Sequence, residues 1–221
     1  MATIDPGEQA RELAKESGDP TGWFEELYAK ASSGQSVVPW DRGVQNPLLA
    51  DWATRQRLDG QGKRALVVGC GLGHDAEFIA SFGYETVAFD IAPSGIRAAR
   101  DRFPDSSVNY QVANLLDPPD AFRSAFDLVI EIFTVQSLPV RLHREATGNV
   151  NSFVAPGGTL IVIAFAGQTD GTVDGPPWPL TRAEIEAFAA EDLQAVNIEH
   201  RETAPGSGDY RWRAEFRRPQ P

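Results

Sequence analysis

Ala65-Leu-Val-Val-Gly-Cys-Gly-Leu-Gly-His-Asp75 is followed by Thr86-Val-Ala-Phe-Asp90. The first stretch runs from an apolar segment with two β-branched valines, through glycines at 69, 71 and 73, into a helical pattern. It reads as strand, tight turn and helix. The second is another apolar run, closed by a carboxylate at position 90. Glycines let a backbone approach a ligand closely, and the helix that follows aims free N–H groups at a negative group. An acidic residue about 20 positions beyond the first glycine can grip two ribose hydroxyls. Together the two stretches predict a nucleoside-cofactor site. Dinucleotide sites use G-x-G-x-x-G; here His74 and Asp75 stand where the third glycine would follow. That departure points away from NAD and toward S-adenosylmethionine.

Outward from this pair the chain alternates strand and helix. Strands are expected at 66–69, 86–90, 108–112, 126–132 and 159–165, with helices at 75–82, 94–102 and 139–153 between them. Leu142, Ala146, Val150 and Phe153 give the last helix its apolar face. Ala155-Pro-Gly-Gly158 reads as a break before the fifth strand. Thr181-Arg-Ala-Glu184 is a capping box, opening a helix that buries Ile185 and Phe188. Strands at 194–202 and 210–217 flank a short loop and predict an antiparallel hairpin. The alternation implies a parallel sheet with helices on both faces, into which the hairpin inserts an antiparallel strand. Residues 1–60 carry no strand signal. They hold one short amphipathic helix with Trp23, Phe24, Leu27 and Tyr28, a Ser/Gly linker at 32–36, and Val37-Val-Pro-Trp-Asp-Arg-Gly43. They are expected to form a helical lid over the cofactor end of a core spanning 61–221.

Composition narrows the function class. The formal charge of −11 argues against a nucleic-acid partner, which would leave a basic stripe. Arg211, Arg213 and Arg217 fall at odd spacing and are expected on the solvent face of one strand. The single cysteine excludes an internal disulfide and suits a reducing, cytoplasmic setting. No apolar stretch reaches the roughly 18 residues of a membrane span, so no membrane partner is expected. Three isolated histidines give no metal cluster; His74 falls at a helix start, and His143 and His200 read as exposed. No segment reads as a dimer face, which leaves a monomer or weak dimer open.

Taken together, the chain resembles a class I S-adenosylmethionine-dependent methyltransferase over residues 20–217. Within that superfamily it is most similar to the branch of thiopurine and thiol/halide methyltransferases. Three words carry the narrower resemblance: the lid segment Pro39-Trp-Asp-Arg-Gly43 followed by Asn46-Pro-Leu48, the signature Gly69-Cys-Gly-Leu-Gly-His-Asp75, and Gly175-Pro-Pro-Trp178. The resemblance implies a Rossmann-like, mostly parallel α/β fold with a seven-stranded sheet. It further implies that the backbone of Gly69, Cys70 and Gly71 meets the methionine part of the cofactor. Asp90 would hold the ribose hydroxyls, with Ile91 packing on the adenine. Asn114 and Leu115 would meet the adenine edge, Asn114 accepting from its amino group; Asp117 is the competing residue.

Several side chains keep two readings. Cys70 reads as a packing residue between glycines. Trp40 is either a staple for the lid or an aromatic wall beside the sulfonium, where cation–π attraction favours it. Glu131 closes the fourth strand, where open sheets present residues to the ligand crevice. It is either a solvated strand end or a carboxylate that orients the cofactor or acts as a base. Phe133, Thr134 and Gln136 follow it toward the acceptor, and Trp23, Phe24 and Trp178 either line the acceptor pocket or fasten the lid.

Methyl transfer from a sulfonium is an in-line displacement that needs alignment and a dry site. A soft thiolate needs no base near neutral pH, whereas oxygen or nitrogen acceptors do. With no Lys, His or Tyr in an evident base position, the expectation is S-methylation of a small molecule, yielding S-adenosylhomocysteine. The alternatives are an O- or N-methyltransferase using Glu131 as base, and a non-catalytic S-adenosylmethionine-binding protein, against which the aromatic lid argues.

Overall fold

A computed structural model describes residues 5–167, 174–189 and 192–220. Its centre is a seven-stranded sheet in the order β3-β2-β1-β4-β5-β7-β6. The strands are β1 (Arg64–Val68), β2 (Glu85–Asp90), β3 (Asn109–Val112), β4 (Phe126–Ile132), β5 (Val154–Phe165), β6 (Gln194–Glu202) and β7 (Tyr210–Arg217). The first five pair in parallel, and β7 runs antiparallel between β5 and β6. The order reverses beside β1, where the chain returns from β3 to lay β4 against it. Such a switch point opens a crevice at the carboxyl ends of the strands.

Alternation along the strands builds two cores. Leu66 and Val68 of β1 point to one face, with Phe89, Val129 and Val162. Helix α6 (Val140–Ser152) and the short α7 (Arg182–Glu186) cover that face through Val150 and Ile185. Ala65 and Val67 point to the other, with Ala88, Ile130 and Ile163. There α3 (Pro47–Gln56), α4 (His74–Ala80) and α5 (Pro93–Arg102) close over them through Leu49, Ile79 and Ile96. Strands buried on both faces read as continuous apolar runs, which is why β1, β4 and β5 stand out in the sequence.

The N-terminal region holds more helix than expected. Beside the anticipated α2 (Gly22–Ser32) lie α1 (Pro6–Glu16) and α3. Each of the unanticipated helices begins with a side-chain cap followed by proline, Asp5-Pro6 and Asn46-Pro47. Helices α1 and α2 form a small cluster of their own around Leu13, Trp23 and Leu27. Strand β5 also starts earlier than expected. It includes Ala155–Gly158, because Phe126 pairs with Val154 while Leu128 pairs with Thr159, so the extra residues bulge out and the pairing continues.

Two charge assignments are corrected. Arg211 and Arg213 are buried, 5% and 4% exposed, because the face of β7 they occupy is covered. Arg213 bonds Asp51 at 2.6 Å and the Leu48 carbonyl at 3.0 Å on α3, and Glu199 at 2.7 Å on β6. Arg211 lies over the Phe165 ring and is held by Asp209. His143 is likewise buried. Its Nδ1 lies 2.7 Å from Glu184 and its Nε2 2.8 Å from the Leu138 carbonyl. Among the described residues no helix is long and apolar enough to cross a membrane, and no group of three or more metal-ligating side chains occurs.

Candidate functional site

A cavity of about 260 Å³ lies at the carboxyl ends of the parallel strands, between the sheet and the N-terminal segment. The turn after β1 forms its floor. Gly69 has φ +59°, and a Cβ there would sit 2.4 Å from Thr134 Oγ1. Gly73 has φ +92°, and a Cβ there would meet the Tyr110 hydroxyl at 2.5 Å. Both positions therefore demand glycine by conformation and by space. Asp90, at the end of β2, fastens the turn: its Oδ2 accepts from Gly71 N and its Oδ1 from Ala92 N, both at 3.0 Å. Burial raises the Asp90 carboxyl to about 6, although these backbone N–H groups pull the other way.

Adjoining Asp90 in the cavity wall are Ile91, Asn114 and Leu115. Asn114 already accepts from Leu116 N at 2.9 Å, so its side-chain carbonyl shapes the turn after β3 while lining the cavity. Asp117 is exposed and outside the lining.

The N-terminal segment closes the cavity from above. Trp40 donates through Nε1 to the Tyr28 hydroxyl at 3.0 Å, and both line the cavity. Burial, then the charge of Asp90, push the Tyr28 phenol well above its ordinary range, so it stays a neutral hydroxyl. Trp23 stacks on Phe24 with centroids 3.9 Å apart, and both belong to the wall. Three polar ties hold this roof down. Glu25 of α2 accepts from the backbone and hydroxyl of Ser94 at the start of α5, at 2.9 and 2.6 Å. Asp41 is paired with Arg102 at 3.2 Å, with His74 beside it at 3.5 Å. Asp75 accepts from Asn46 N at 2.7 Å. Burial works against the Asp41 charge, but the hydrogen bonds from Arg102 and Gly43 hold its carboxyl below the usual range.

The remaining end of the cavity is apolar. Ile132, Phe133, Phe165, Pro176 and Pro177 line it, and the rings of Phe133 and Phe165 lie 5.0 Å apart. Phe133 holds φ +62°, a strained state for an aromatic residue that the surrounding contacts enforce. Gln136 accepts from Phe165 N at 2.6 Å and, through its carbonyl, from Trp178 N at 2.7 Å. It thus lines the cavity and fixes its wall at once.

Two expected site residues stand elsewhere. Glu131 is fully buried and absent from the lining. Its Oε1 accepts from Thr134 N at 2.8 Å and Val135 N at 3.0 Å, capping the short 3₁₀ turn at 135–137, while Oε2 has no partner among the described residues. Burial raises its carboxyl to about 7. A carboxylate enclosed in this way does not present itself to an acceptor, so the sequence expectation of a base at the crevice is corrected. Trp178 packs against Gly175 rather than lining the cavity, and Pro176 and Pro177 line it instead. Trp40, Gly69, Cys70, Gly71, Asp90, Ile91, Asn114 and Leu115 do converge on one cavity, as do Trp23, Phe24, Phe133 and Gln136. Sequence reading missed Tyr28 and Asp75 as cavity residues. The first sat at helix spacing and looked like core; the second was visible only as the tail of the glycine motif.

Residues 65–158 match the family described as a methyltransferase domain. The chain is 26% identical to a probable thiol methyltransferase 2 of Arabidopsis thaliana, over 83% of this chain and 84% of that protein. It is 34% identical to a ubiquinone biosynthesis O-methyltransferase of Xanthomonas oryzae over a shorter region, 42% of this chain and 40% of that one. Among solved structures, the N-methyltransferase NodS from Bradyrhizobium japonicum, in complex with S-adenosylhomocysteine, superposes with a TM-score of 0.67. That match covers 89% of this chain and all of the other at 21% identity, a likeness of fold.

Proposed function

We propose that the chain is a class I S-adenosylmethionine-dependent methyltransferase near the thiol methyltransferase branch, and that it methylates the sulfur of a small thiol. The observation that carries this reading is the acceptor end of the cavity: Phe133, Phe165, Pro176 and Pro177 offer no proton acceptor, and Glu131 is sealed away from it. A hydroxyl or amine reaching this wall would find no general base there, whereas a thiol ionises in water before it binds. The similarity to a thiol methyltransferase over most of both chains supports the same acceptor.

The residues suit the cofactor. The glycine turn bares its backbone to the cavity, and a Cβ at Gly71 would crowd Tyr28 at 3.1 Å and Trp40 at 3.5 Å. When bound, S-adenosylmethionine supplies an electrophilic methyl carbon on a sulfonium. In this reading Asp90 keeps the turn in place and offers its remaining lone pairs to the ribose, while Ile91 and Leu115 flank the adenine and Asn114 meets its edge. The backbone of Gly69, Cys70 and Gly71 faces the methionine part. Trp40 turns its ring toward the cation. Residues 1–60 act as the lid of a 61–221 core, and the aromatic roof and wall exclude water while aligning the nucleophile. Cys70 serves as packing: burial pushes its thiol well above the ordinary range, which keeps it from competing as a nucleophile.

The test is the pH dependence of kcat/KM for a series of thiols of different acidity. The expected profile rises with each acceptor's own pKa and levels off above it. A midpoint that stays fixed while the acceptor changes would instead reveal a protein base.

A further inference from the structure

Thr134, Gln136 and Ser137 stand among the apolar side chains at the acceptor end of the cavity. Two of them have committed their protons to the backbone. The Thr134 hydroxyl donates to the Val68 carbonyl at 3.0 Å, and the Ser137 hydroxyl to the Phe133 carbonyl at 2.7 Å. Gln136 differs. Its Oε1 accepts from Phe165 N at 2.6 Å. An amide nitrogen cannot accept from a backbone N–H, so this bond fixes which way the amide lies and turns Nε2 away from β5. Nε2 has no hydrogen-bond partner among the described residues. Nor is it one of the polar atoms sealed inside the protein without a partner, which are Glu131 Oε2, Asn151 Oδ1 and Arg218 Nε. It therefore opens on the cavity, although Gln136 as a whole is only 1% exposed. The backbone of the residue is held as firmly. Glu131 caps the turn at 135–137, and the Gln136 carbonyl accepts from Trp178 N at 2.7 Å.

A bound acceptor drives water from this end, and an amide donor left alone in an apolar wall weakens binding unless the acceptor supplies a partner. Sulfur is a poor choice for that partner. A hydrogen bond to the thiolate is strongest before attack and fades as its charge passes into the new S–C bond, so it slows the displacement. A second atom of the acceptor, whose charge does not change, carries no such penalty and fixes the angle at which sulfur meets the methyl carbon. The Arg211 guanidinium lies over the Phe165 ring but is held by Asp209, so this wall offers the acceptor a dipole rather than a charge. We propose that Gln136 determines specificity, its locked amide donating to a neutral hydrogen-bond acceptor that the thiol carries apart from its sulfur, in the simplest case a carbonyl or ether oxygen. The proposal rests on the thiol reading of the same site and narrows it to thiols with such an atom. Thiols without one leave the amide unpaired and are the poorer substrates.

Matched acceptors test this. Methoxythiophenol and ethylthiophenol have nearly the same shape and differ by an oxygen in place of a methylene. Each is assayed as its ortho, meta and para isomer with purified protein and S-adenosylmethionine, at a pH where both thiols are ionised. In at least one isomer the methoxy compound is expected to exceed its ethyl partner in kcat/KM by about tenfold or more, the scale of one hydrogen bond to an otherwise unpaired group. Gln136→Met keeps the length of the side chain and removes the amide, and the ratio should fall to about one. Gln136→Asn withdraws the amide by one methylene and should lose the preference too, which keeps the test available if the first variant does not fold. Calorimetry with S-adenosylhomocysteine checks that each variant retains its cofactor site. A Gln136 that only braces the wall would slow both partners alike and leave their ratio unchanged in the variants, and that result would overturn the proposal. A wild type that methylates both thiols without preference in all three isomers would overturn it as well, and would leave the thiol reading standing. Methylation of neither thiol would overturn the thiol reading itself.

Discussion

Glu131 shows how a single carboxylate can look catalytic from its position and be structural in its contacts. It stands at the end of β4, but its bonded oxygen caps the turn at 134–135 and the other is enclosed without a partner among the described residues. Its folded-state pKa, about 7, lies above the ordinary 4.5 because of burial. Between those values the folded protein holds a proton that the unfolded chain has released, so stability falls as pH rises through that window and stays lowered above it. Glu131→Gln imitates the protonated acid. The variant is expected to gain about 1–2 kcal/mol over wild type at pH 8, with the gain vanishing near pH 4.5, in urea melts at the two pH values. Turnover should survive, since loss of a true general base costs about 10²–10⁴. A loss of that size with cofactor affinity intact would restore Glu131 as the base. Other residues were legible to different degrees. The glycines and Asp90 announce themselves because backbone geometry and spacing constrain residue type. Arg211 and Arg213 do not: alternation says which face of β7 they share, and only the arrival of α3 and β6 says that this face is covered. His143 is similar, since its partner Glu184 lies on a separate helix.

At the level of elements, the strand–turn–helix unit from β1 to α4 depends on how closely other parts of the chain approach it. Gly73 precedes α4, and Tyr110 of β3 fills the space where a side chain would go. Gly73→Ala is expected to lose about 2–3 kcal/mol, from the left-handed backbone and the clash together. The unfolding free energy in urea measures this, with Gly43→Ala as comparison: φ there is +69° but nothing lies within 4 Å. The second variant should lose only the backbone part, about 1–2 kcal/mol. Equal losses at the two sites would show that Tyr110 does not crowd the turn. The helices α1 and α3 were legible in principle, because Asp-Pro and Asn-Pro are helix-start signals and Leu49, Trp52 and Ala53 of α3 fall at helical spacing. The extended start of β5 was not legible. A Pro-Gly-Gly run reads as a break, and only pairing with β4 shows that the strand passes through it as a bulge.

Across the whole molecule, the parallel sheet and its closing hairpin follow from the alternation of apolar runs, because parallel strands buried on both faces leave a clear sequence trace; the order of the strands does not. The acceptor does not, since its wall is assembled from β4, β5 and the Gly-Pro-Pro segment, which lie far apart in sequence. That wall is apolar and lacks a base, and with it stands the claim that sulfur is the atom methylated. The most direct measurement is turnover of purified protein with S-adenosylmethionine and a matched set of acceptors, thiophenol, phenol and aniline, with products identified by mass. The skeleton is constant, so only the nucleophilic atom changes. The expected result is methyl thioether formation from thiophenol, with phenol and aniline slower by about 10²-fold or more, the scale of general-base help that this apolar wall does not provide. Methylation of phenol or aniline with thiophenol left untouched would contradict the assignment.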